Sequence, residues 1–210
     1  ACAPYRRLHL CNKNMEKIAT SMTKHDLLAE VCMAAKFEGE SITRDYPKYQ
    51  ATYGDSGFTT CTMLAHSFAD IGDIIRGRDL YLGKKKKNQT ERDKLEDNLK
   101  TIFAKIHDDV TTTSGRNGKT LQERYQNDTG DFFKLREDWW TANRETVWKA
   151  LTCDDRLAGA HYFRPTCDIN NEKGPSMTPS HCRCDGKNAD QVPTYFDYVP
   201  QYLRWFEEWA

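Results

Sequence analysis

The sequence has 210 residues, of which 38% are hydrophobic and 30% charged, and its 31 basic and 31 acidic side chains give a formal net charge of zero. This length suffices for one or two hydrophobic cores, because domains usually contain ~100 to 200 residues. The charge balance excludes the whole-molecule attraction to nucleic acid or anionic lipid that a strongly basic protein shows, so any polyanion has to be bound by a local patch.

The first sixty residues predict helical pieces followed by a loop. Apolar residues recur at helical spacing between Asn14 and Lys36, and Asp26 is placed to cap the point where the pattern restarts. We therefore expect two helical pieces in this stretch. Residues 46–60 are rich in Tyr, Pro, Gly, Asp and Thr, show no sustained period, and predict a loop.

A further helix is predicted over residues 61–75. Gly77 is well placed to end it, because glycine readily adopts the left-handed conformation that follows many helices. The apolar side chains of this helix lie on one face, which consists of Leu64, Phe68, Ile71 and Ile75. A single apolar face of this kind is typical of a helix.

Four consecutive lysines at residues 84–87 mark a boundary, after which the clearest helix of the chain begins. Thr90 and Asp93 form a variant of the capping box, with Asp where Glu or Gln is usual, so the helix is expected to start here. One face of this helix is charged, and the other carries Leu95, Leu99, Ile102, Phe103, Ile106 and Val110. We expect only the apolar face to pack.

A second long helix is predicted over residues 121–151. It has apolar side chains on two sides, one with Phe132, Leu135, Trp139 and Ala142 and the other with Phe133, Trp140, Val147 and Leu151. Two apolar faces need two partners, as in an inner helix of a bundle. One bundle core is predicted to contain Trp139, Leu99, Ile106 and Phe206.

The end of the chain predicts a cysteine-rich loop over residues 153–194 and a third bundle helix over residues 199–209. Pro200 suits the first turn of that helix, and its apolar stripe consists of Tyr202, Leu203, Phe206 and Trp209. A stripe this aromatic is expected to be buried. No Gly, Asn or Pro closes the helix, so we expect the sequence to be a piece of a longer protein.

Eight cysteines fall into two groups separated by more than ninety residues: Cys2, Cys11, Cys32 and Cys61, then Cys153, Cys167, Cys182 and Cys184. An even count in loop-rich surroundings is typical of disulfides formed in an oxidising compartment, although the spacing leaves the connectivity open. We expect the cysteines to pair within their own groups. The alternative is a set of reduced, buried thiols in a cytosolic protein.

The densest positive run predicts a site for sulfated glycans. Adjacent ammonium groups can follow a flexible chain of sulfates, and such binding weakens steeply with salt. The expected contact residues are the run itself and its basic neighbours, Arg76, Arg78, Lys84, Lys85, Lys86, Lys87, Arg92 and Lys94. The alternative is a solvated hinge between two units of the chain.

Two enzyme classes are weaker alternatives. The segment Gly54-Asp-Ser-Gly57 superficially matches the nucleophile segment of trypsin-like proteases, but the helical pattern around it does not predict two β-barrels. A zinc site could in principle use His161, Cys167, His181, Cys182 and Cys184. Structural zinc sites usually pair their ligands as C-x2-4-C, and this spacing does not. No catalytic, cofactor or metal residues are therefore predicted.

Together these elements predict a mostly helical fold, with an irregular, helix-containing first part and an incomplete helical bundle as the second part, stapled by disulfides. The Trp139-Trp140 pair and three widely separated segments resemble the Duffy-binding-like domains, alpha class, of the variant erythrocyte membrane protein family of Plasmodium falciparum. Those segments are Ala1-Cys-Ala-Pro-Tyr-Arg-Arg-Leu-His-Leu-Cys11, Asp70-Ile-Gly-Asp-Ile-Ile-Arg-Gly77 and residues 193–209. The resemblance implies a first subdomain at residues 1–83, most of a second at residues 84–210, and a third that is absent.

The resemblance implies an adhesion module rather than an enzyme, on the extracellular face of the infected red-cell membrane and within a larger anchored protein. The expected partners are host cell-surface receptors or heparan-sulfate-like glycans, antibodies, and the remaining domains of the same ectodomain. A purely structural spacer is the alternative. No apolar run approaches the ~20 residues that a bilayer crossing needs, so no direct membrane insertion is expected.

Overall fold

The computed structural model describes residues 2–18, 24–53, 58–83, 85–86, 89–112, 116–168, 174–185 and 192–209. Most of these residues are helical, which confirms the predicted mostly helical fold. The elements are α1 (Tyr5–Leu8), α2 (Lys24–Tyr53), α3 (Thr60–Ile75), β1 (Lys85–Lys86), β2 (Gln89–Thr90), α4 (Glu91–Thr112), α5 (Arg116–Tyr125), α6 (Phe133–Leu151) and α7 (Gln201–Trp209). Within these ranges, no helix combines the length and the apolar character that a membrane span requires.

α2 is one helix of 30 residues. The sequence predicted instead the second of two helical pieces, followed by a loop. Pro47 lies inside it and removes one backbone hydrogen bond. Tertiary contacts hold the helix beyond this point, because the Tyr46 hydroxyl and the Gln50 amide both donate to the Phe58 carbonyl oxygen at 2.9 Å. The predicted loop over residues 46–53 is therefore wrong. Earlier in α2, the buried apolar side chains are Leu27, Val31, Ala34 and Ala35.

α3 is the central helix of the described structure, and it begins and ends close to where the sequence predicts. Every residue from Cys61 to Ile75 except Met63 is buried, because α3 contacts α1, α2, α6, α7 and the 3-10 turn Phe196–Tyr198. The Thr59 hydroxyl caps its start by accepting from the Thr62 backbone N–H at 3.2 Å. Gly77 follows its end with φ of 72°, as predicted.

Two glycines allow α6 to approach its neighbours closely. A Cβ at Gly72 would lie 2.8 Å from the Trp140 indole ring, and a Cβ at Gly39 would lie 1.9 Å from the Leu151 carbonyl oxygen. No side chain larger than hydrogen fits at either position without moving backbone or a buried ring. These glycines therefore set how closely α6 packs against α3 and α2.

α4 follows the sequence prediction in both its start and its buried face. The Thr90 backbone N–H donates to the Asp93 carboxylate at 2.9 Å, and the Asp93 backbone N–H donates to the Thr90 hydroxyl at 3.1 Å, which is the predicted capping box. Val110 is partly buried, and the rest of the predicted stripe is fully buried: Leu95, Leu99, Ile102, Phe103 and Ile106.

The long helix predicted over residues 121–151 is two helices, α5 and α6, with a turn between them. The Asp128 carboxylate accepts from the backbone N–H groups of Lys134 and Leu135 at 3.1 and 2.7 Å, and so caps the start of α6. Gly130 supplies a left-handed residue in the turn, with φ of 79°. The continuous helix was therefore a wrong prediction, because local side-chain capping outweighs the apolar periodicity across the turn.

The predicted common core of the bundle is correct in part. Leu99 and Ile106 are buried, and Trp139 is partly buried with its ring against Phe103. Phe206 is 75% exposed and lies outside the core. α7 turns a different face inward, because its buried residues are Gln201, Arg204 and Trp205. The apolar stripe that was predicted to be buried is instead exposed: Tyr202, Leu203, Phe206 and Trp209.

The core includes residues from both sides of position 84. The Phe68 ring of α3 lies 5.0 Å from the Trp140 ring and 5.2 Å from the Trp148 ring of α6, measured between centroids. Both tryptophans are almost completely buried. These contacts show that residues 1–83 and residues 84–210 contribute to one shared core. The division of the chain into two subdomains at position 84 stays a prediction.

The prediction that the cysteines pair within their own groups is wrong for Cys61 and correct for the pair Cys167 and Cys184. Cys61, at the start of α3, is bonded to Cys182 across 121 positions of sequence, and Cys167 is bonded to Cys184 across 17. The start of α3 lies against the cysteine-rich segment, so distance along the sequence did not indicate distance in space. The other four predicted disulfide residues carry free thiols in this structure: Cys2, Cys11, Cys32 and Cys153.

Candidate binding surface

The lysine run lies at the hairpin that precedes α4. Lys85 and Lys86 form β1, whose backbone pairs antiparallel with β2. Lys84 and Lys87 lie outside the described residues. Lys85 and Lys86 therefore lie between Gly83 and the capped start of α4.

Arg76 does not belong to an exposed cationic patch. Its side chain is 1% exposed, and it contacts the carboxylates of Asp73 at 3.0 Å and Glu137 at 3.3 Å. It also donates to the Gly72 carbonyl oxygen at 3.0 Å and to the carbonyl oxygen of Asp197. These bonds use its charge within the protein, so its assignment as a glycan contact is corrected.

The other basic neighbours of the run are more accessible. The Arg78 side chain is 55% exposed and pairs with Glu137 at 2.8 Å. Lys94 is exposed, and Arg92 is half-buried with its backbone N–H donating to the Leu82 carbonyl oxygen at 3.4 Å. An exposed ion pair such as that of Arg78 with Glu137 contributes little to stability. The side chains of Arg78, Arg92 and Lys94 are therefore available to a ligand.

A buried charge cluster lies beneath this region and is centred on Asp70, whose side chain is fully buried. Arg6 Nη2 and Arg204 Nη2 each lie 2.7 Å from one of its carboxylate oxygens. Gln201 Nε2 donates to the same carboxylate at 3.0 Å. Arg204 also contacts Asp73 at 2.6 Å. We call these five residues the Asp70 cluster.

The cluster is charged in the folded protein. Burial acts to raise the pKa of Asp70, but Arg6 and Arg204 outweigh burial and hold it below its usual value. For Asp73 the balance differs, since burial raises its pKa despite the nearby Arg204. Buried ions of opposite charge stabilise a fold only when all of them are paired, so the cluster makes its members depend on one another.

The cluster joins three segments that are distant in sequence. Arg6 comes from α1, Asp70 and Asp73 from α3, and Arg204 from α7. A second buried pair, Arg7 with Asp79, lies beside it, and Gln201 bridges the two by also donating to Asp79 at 2.8 Å. The segments that carry the sequence resemblance are thus held together by buried charges. The signal for this was present in the sequence, as two acidic residues inside a helix that carries no other acidic or basic side chain except His66.

The structure bears on both enzyme alternatives. Ser56, of the protease-like segment, lies outside the described residues. His66 is buried in α3, and neither of its ring nitrogens is hydrogen-bonded to any described residue. Burial lowers the pKa of His66 to about 3, so the ring is neutral. Three of the five zinc-site candidates, Cys167, Cys182 and Cys184, are in disulfides. A disulfide sulfur carries no thiolate to bind a metal.

An exposed aromatic face lies on the other side of α7. It consists of Tyr195, Tyr198, Tyr202, Leu203, Phe206 and Trp209. A shallow groove of about 270 Å³ runs beside it, lined by Arg78, Leu80 and residues 197–202 among others. The Trp209 indole N–H donates to the Cys2 carbonyl oxygen at 3.0 Å, which ties the end of α7 to the start of the chain.

Comparison with known proteins agrees with this architecture. Residues 1–204 match the sequence profile of the Duffy binding domain. No curated protein is significantly similar to the chain. The solved NTS-DBL1(alpha-1) domain of Plasmodium falciparum membrane protein 1 (PfEMP1), varO strain, is 40% identical with a TM-score of 0.73, and the alignment covers 100% of this chain and 43% of that one.

Two further solved structures are similar over the whole chain. The NTS-DBL1-alpha and CIDR-gamma double domain of PfEMP1 from the P. falciparum varO strain is 42% identical, with a TM-score of 0.73 and 27% of its chain covered. The PfEMP1 IT4var13 DBLbeta domain bound to ICAM-1 is 30% identical, with a TM-score of 0.65 and 44% covered. The chain spans less than half the length of these relatives. From the match over residues 1–204 and these likenesses, we conclude that the chain belongs to the Duffy binding domain family.

Proposed function

We propose that the chain is an adhesion module that binds host cell-surface receptors on the outside of infected red cells. The observation that carries this proposal is the likeness, over 100% of the chain, to a DBLbeta domain solved in complex with ICAM-1. A DBLb domain in a second ICAM-1 complex aligns with 97% of the chain. Within a longer ectodomain, the chain would also contact neighbouring domains and be open to antibodies.

The geometry favours binding by a broad surface. The charges of the Asp70 cluster are used to hold α1, α3 and α7 together, so ligand contacts fall to exposed side chains. Protein interfaces of standard size bury about 800 Å² on each partner and are enriched in aromatic residues and Arg. The described surface offers both residue types around the hairpin and α7.

We propose that the lysine run supplies a sulfated-glycan contact within this module. The set of contact residues is Arg78, Lys84, Lys85, Lys86, Lys87, Arg92 and Lys94, without the buried Arg76. Support comes from the exposure of Arg78 and Lys94, which flank the run in the sequence. Several weak exposed pairs would act together on a polyanion.

A fourfold lysine variant tests the glycan contact. Changing residues 84–87 to Ala should lower the salt concentration at which the chain elutes from heparin, while a single Lys→Ala change should have little effect. Each exposed ion pair contributes only ~0.2 to 1 kcal/mol, so the loss has to be collective. Circular dichroism should show an unchanged fold.

The matched control changes four exposed lysines elsewhere, Lys13, Lys36, Lys105 and Lys149, and so removes the same net charge. It should elute close to the parent chain. If both variants elute at equally lowered salt concentrations, the attraction to heparin is non-specific. If the residue 84–87 variant is folded and elutes like the parent, the run is a solvated hinge. A chain that binds neither glycan nor host cells would instead be a structural spacer.

A further inference from the structure

A second pocket, with a volume of about 560 Å³, lies beside the later turns of α2 and is larger than the groove beside α7. α2 lines it with one face of its last turns, and the start of α3 and a short 3-10 turn, Asp155–Leu157, close it. The lining residues are Thr43, Arg44, Pro47, Lys48, Thr60, Arg156, Leu157 and Ala160.

Three cationic side chains stand at this pocket. Arg44, Lys48 and Arg156 are 57%, 71% and 50% exposed. Asp45 holds the Nε and Nη2 of Arg44 at 3.0 and 2.7 Å, and Asp154 holds the same two atoms of Arg156 at 2.9 and 2.5 Å. The Nη1 groups of both arginines make no hydrogen bond to any described residue. Each guanidinium is therefore oriented and still has donors for a ligand.

Positive charge is in excess at the pocket. Lys48 has to share Asp45 with Arg44, at a distance of 3.5 Å. The nearby Glu40 is paired with Lys36 at 3.8 Å, and its backbone carbonyl accepts from Arg156 Nη2 at 3.5 Å. Asp154 raises the pKa of Arg156, and the neighbouring Arg44 charge opposes that rise. The two guanidinium groups thus repel each other, and an anion between them would relieve the repulsion.

The remaining walls suit a sugar. Pro47, Leu157 and Ala160 give an apolar surface on which a ring can lie. Thr60 is the first residue of α3, so the positive end of a 16-residue helix adds to the field of the three cations.

We propose that this pocket binds the anionic group, sulfate or carboxylate, of an acidic sugar. Arg44, Lys48 and Arg156 contact the anion, and Pro47 and Leu157 contact the ring. The inference concerns a second surface and does not depend on the lysine run, so it holds whether or not residues 84–87 bind glycan.

The test is an NMR titration of the isotopically labelled chain with three probes: a sulfated heparin disaccharide, 3′-sialyllactose and inorganic sulfate. At least one sugar should bind saturably, bind more tightly than inorganic sulfate, and shift the amide signals of Thr43, Thr60 and Ala160. The tighter of the two sugars identifies the anionic group. The proposal would be overturned if the sugars shifted only the signals of other residues, or if they bound no more tightly than inorganic sulfate. This titration uses the parent chain, so its result does not depend on whether any variant folds.

Variants add a second readout. Arg44→Ala and Arg156→Ala should each weaken sugar binding roughly two- to fivefold, and the double variant about tenfold, as expected for exposed ion pairs. The control is Arg124→Ala, which removes an exposed arginine with the same two-point bond to a carboxylate, that of Asp138, on α5. In it and in the residue 84–87 variant, the sugar-induced shifts of Thr43, Thr60 and Ala160 should match those of the parent. Parent-like binding by the folded double variant would contradict the assignment.

Discussion

The Asp70→Asn variant should lose roughly 3 kcal/mol of folding free energy or more. Removing one partner of a buried ion pair costs ~3 to 5 kcal/mol, because it leaves an uncompensated charge in the interior. Here two guanidinium groups, those of Arg6 and Arg204, would lose their shared carboxylate. Glu208 and Asp73 each keep one contact to these arginines, which places the expected loss near the lower end of that range.

Chemical denaturation followed by circular dichroism measures this loss. A domain has only ~5 to 15 kcal/mol in total, so the variant should unfold at a much lower denaturant concentration than the parent. The control is Asp138→Asn, which removes a partly exposed carboxylate paired with Arg124 and should cost at most about 1 kcal/mol. Equal midpoints for the two variants would show that the Asp70 cluster does not hold the fold together.

Removing the Cys61–Cys182 disulfide should cost more stability than removing Cys167–Cys184. In the chain-entropy model a cross-link restricts the unfolded state, by ~3 kcal/mol for a loop of about 15 residues and ~4.7 kcal/mol for about 100. The separations are 121 and 17 residues. The bond from Cys61 also fixes the central helix to the cysteine-rich segment, so its loss should loosen the packing of the α6 tryptophans against that segment.

Two double Cys→Ala variants compared by denaturation test this order, with Cys153→Ala as the control. Cys153 is exposed and unbonded in the structure, so its replacement should leave the midpoint unchanged. Peptide mapping without reduction should recover Cys61 joined to Cys182. A larger loss of stability from the shorter loop would contradict the expected order.

Local features of the fold were predictable from the sequence. The capping box of Thr90 and Asp93 and the stripe of α4 both depend on residues within one or two turns of each other, so periodicity and side-chain chemistry were sufficient. Gly77 was predictable for the same reason, since it ends α3 by its own backbone conformation. Such features need no knowledge of the tertiary partners.

Features that depend on distant residues were not predictable. The orientation of α7 is set by Asp70 and Asp73, which draw Arg204 inward and leave the aromatic stripe outside. The general expectation that aromatic side chains are buried predicts the opposite orientation for α7. Arg76 was assigned to the surface for a similar reason, because two of its partners, Glu137 on α6 and the Asp197 carbonyl, are recognised only once these segments are placed beside α3.

The central claim, that the chain is an adhesion module, is tested most directly by binding of the purified, fluorescently labelled chain to human red cells and endothelial cells, measured by flow cytometry. The account predicts saturable binding to at least one cell type that unlabelled chain competes away. A chain that is folded by circular dichroism and shows no saturable binding to either cell type would contradict it.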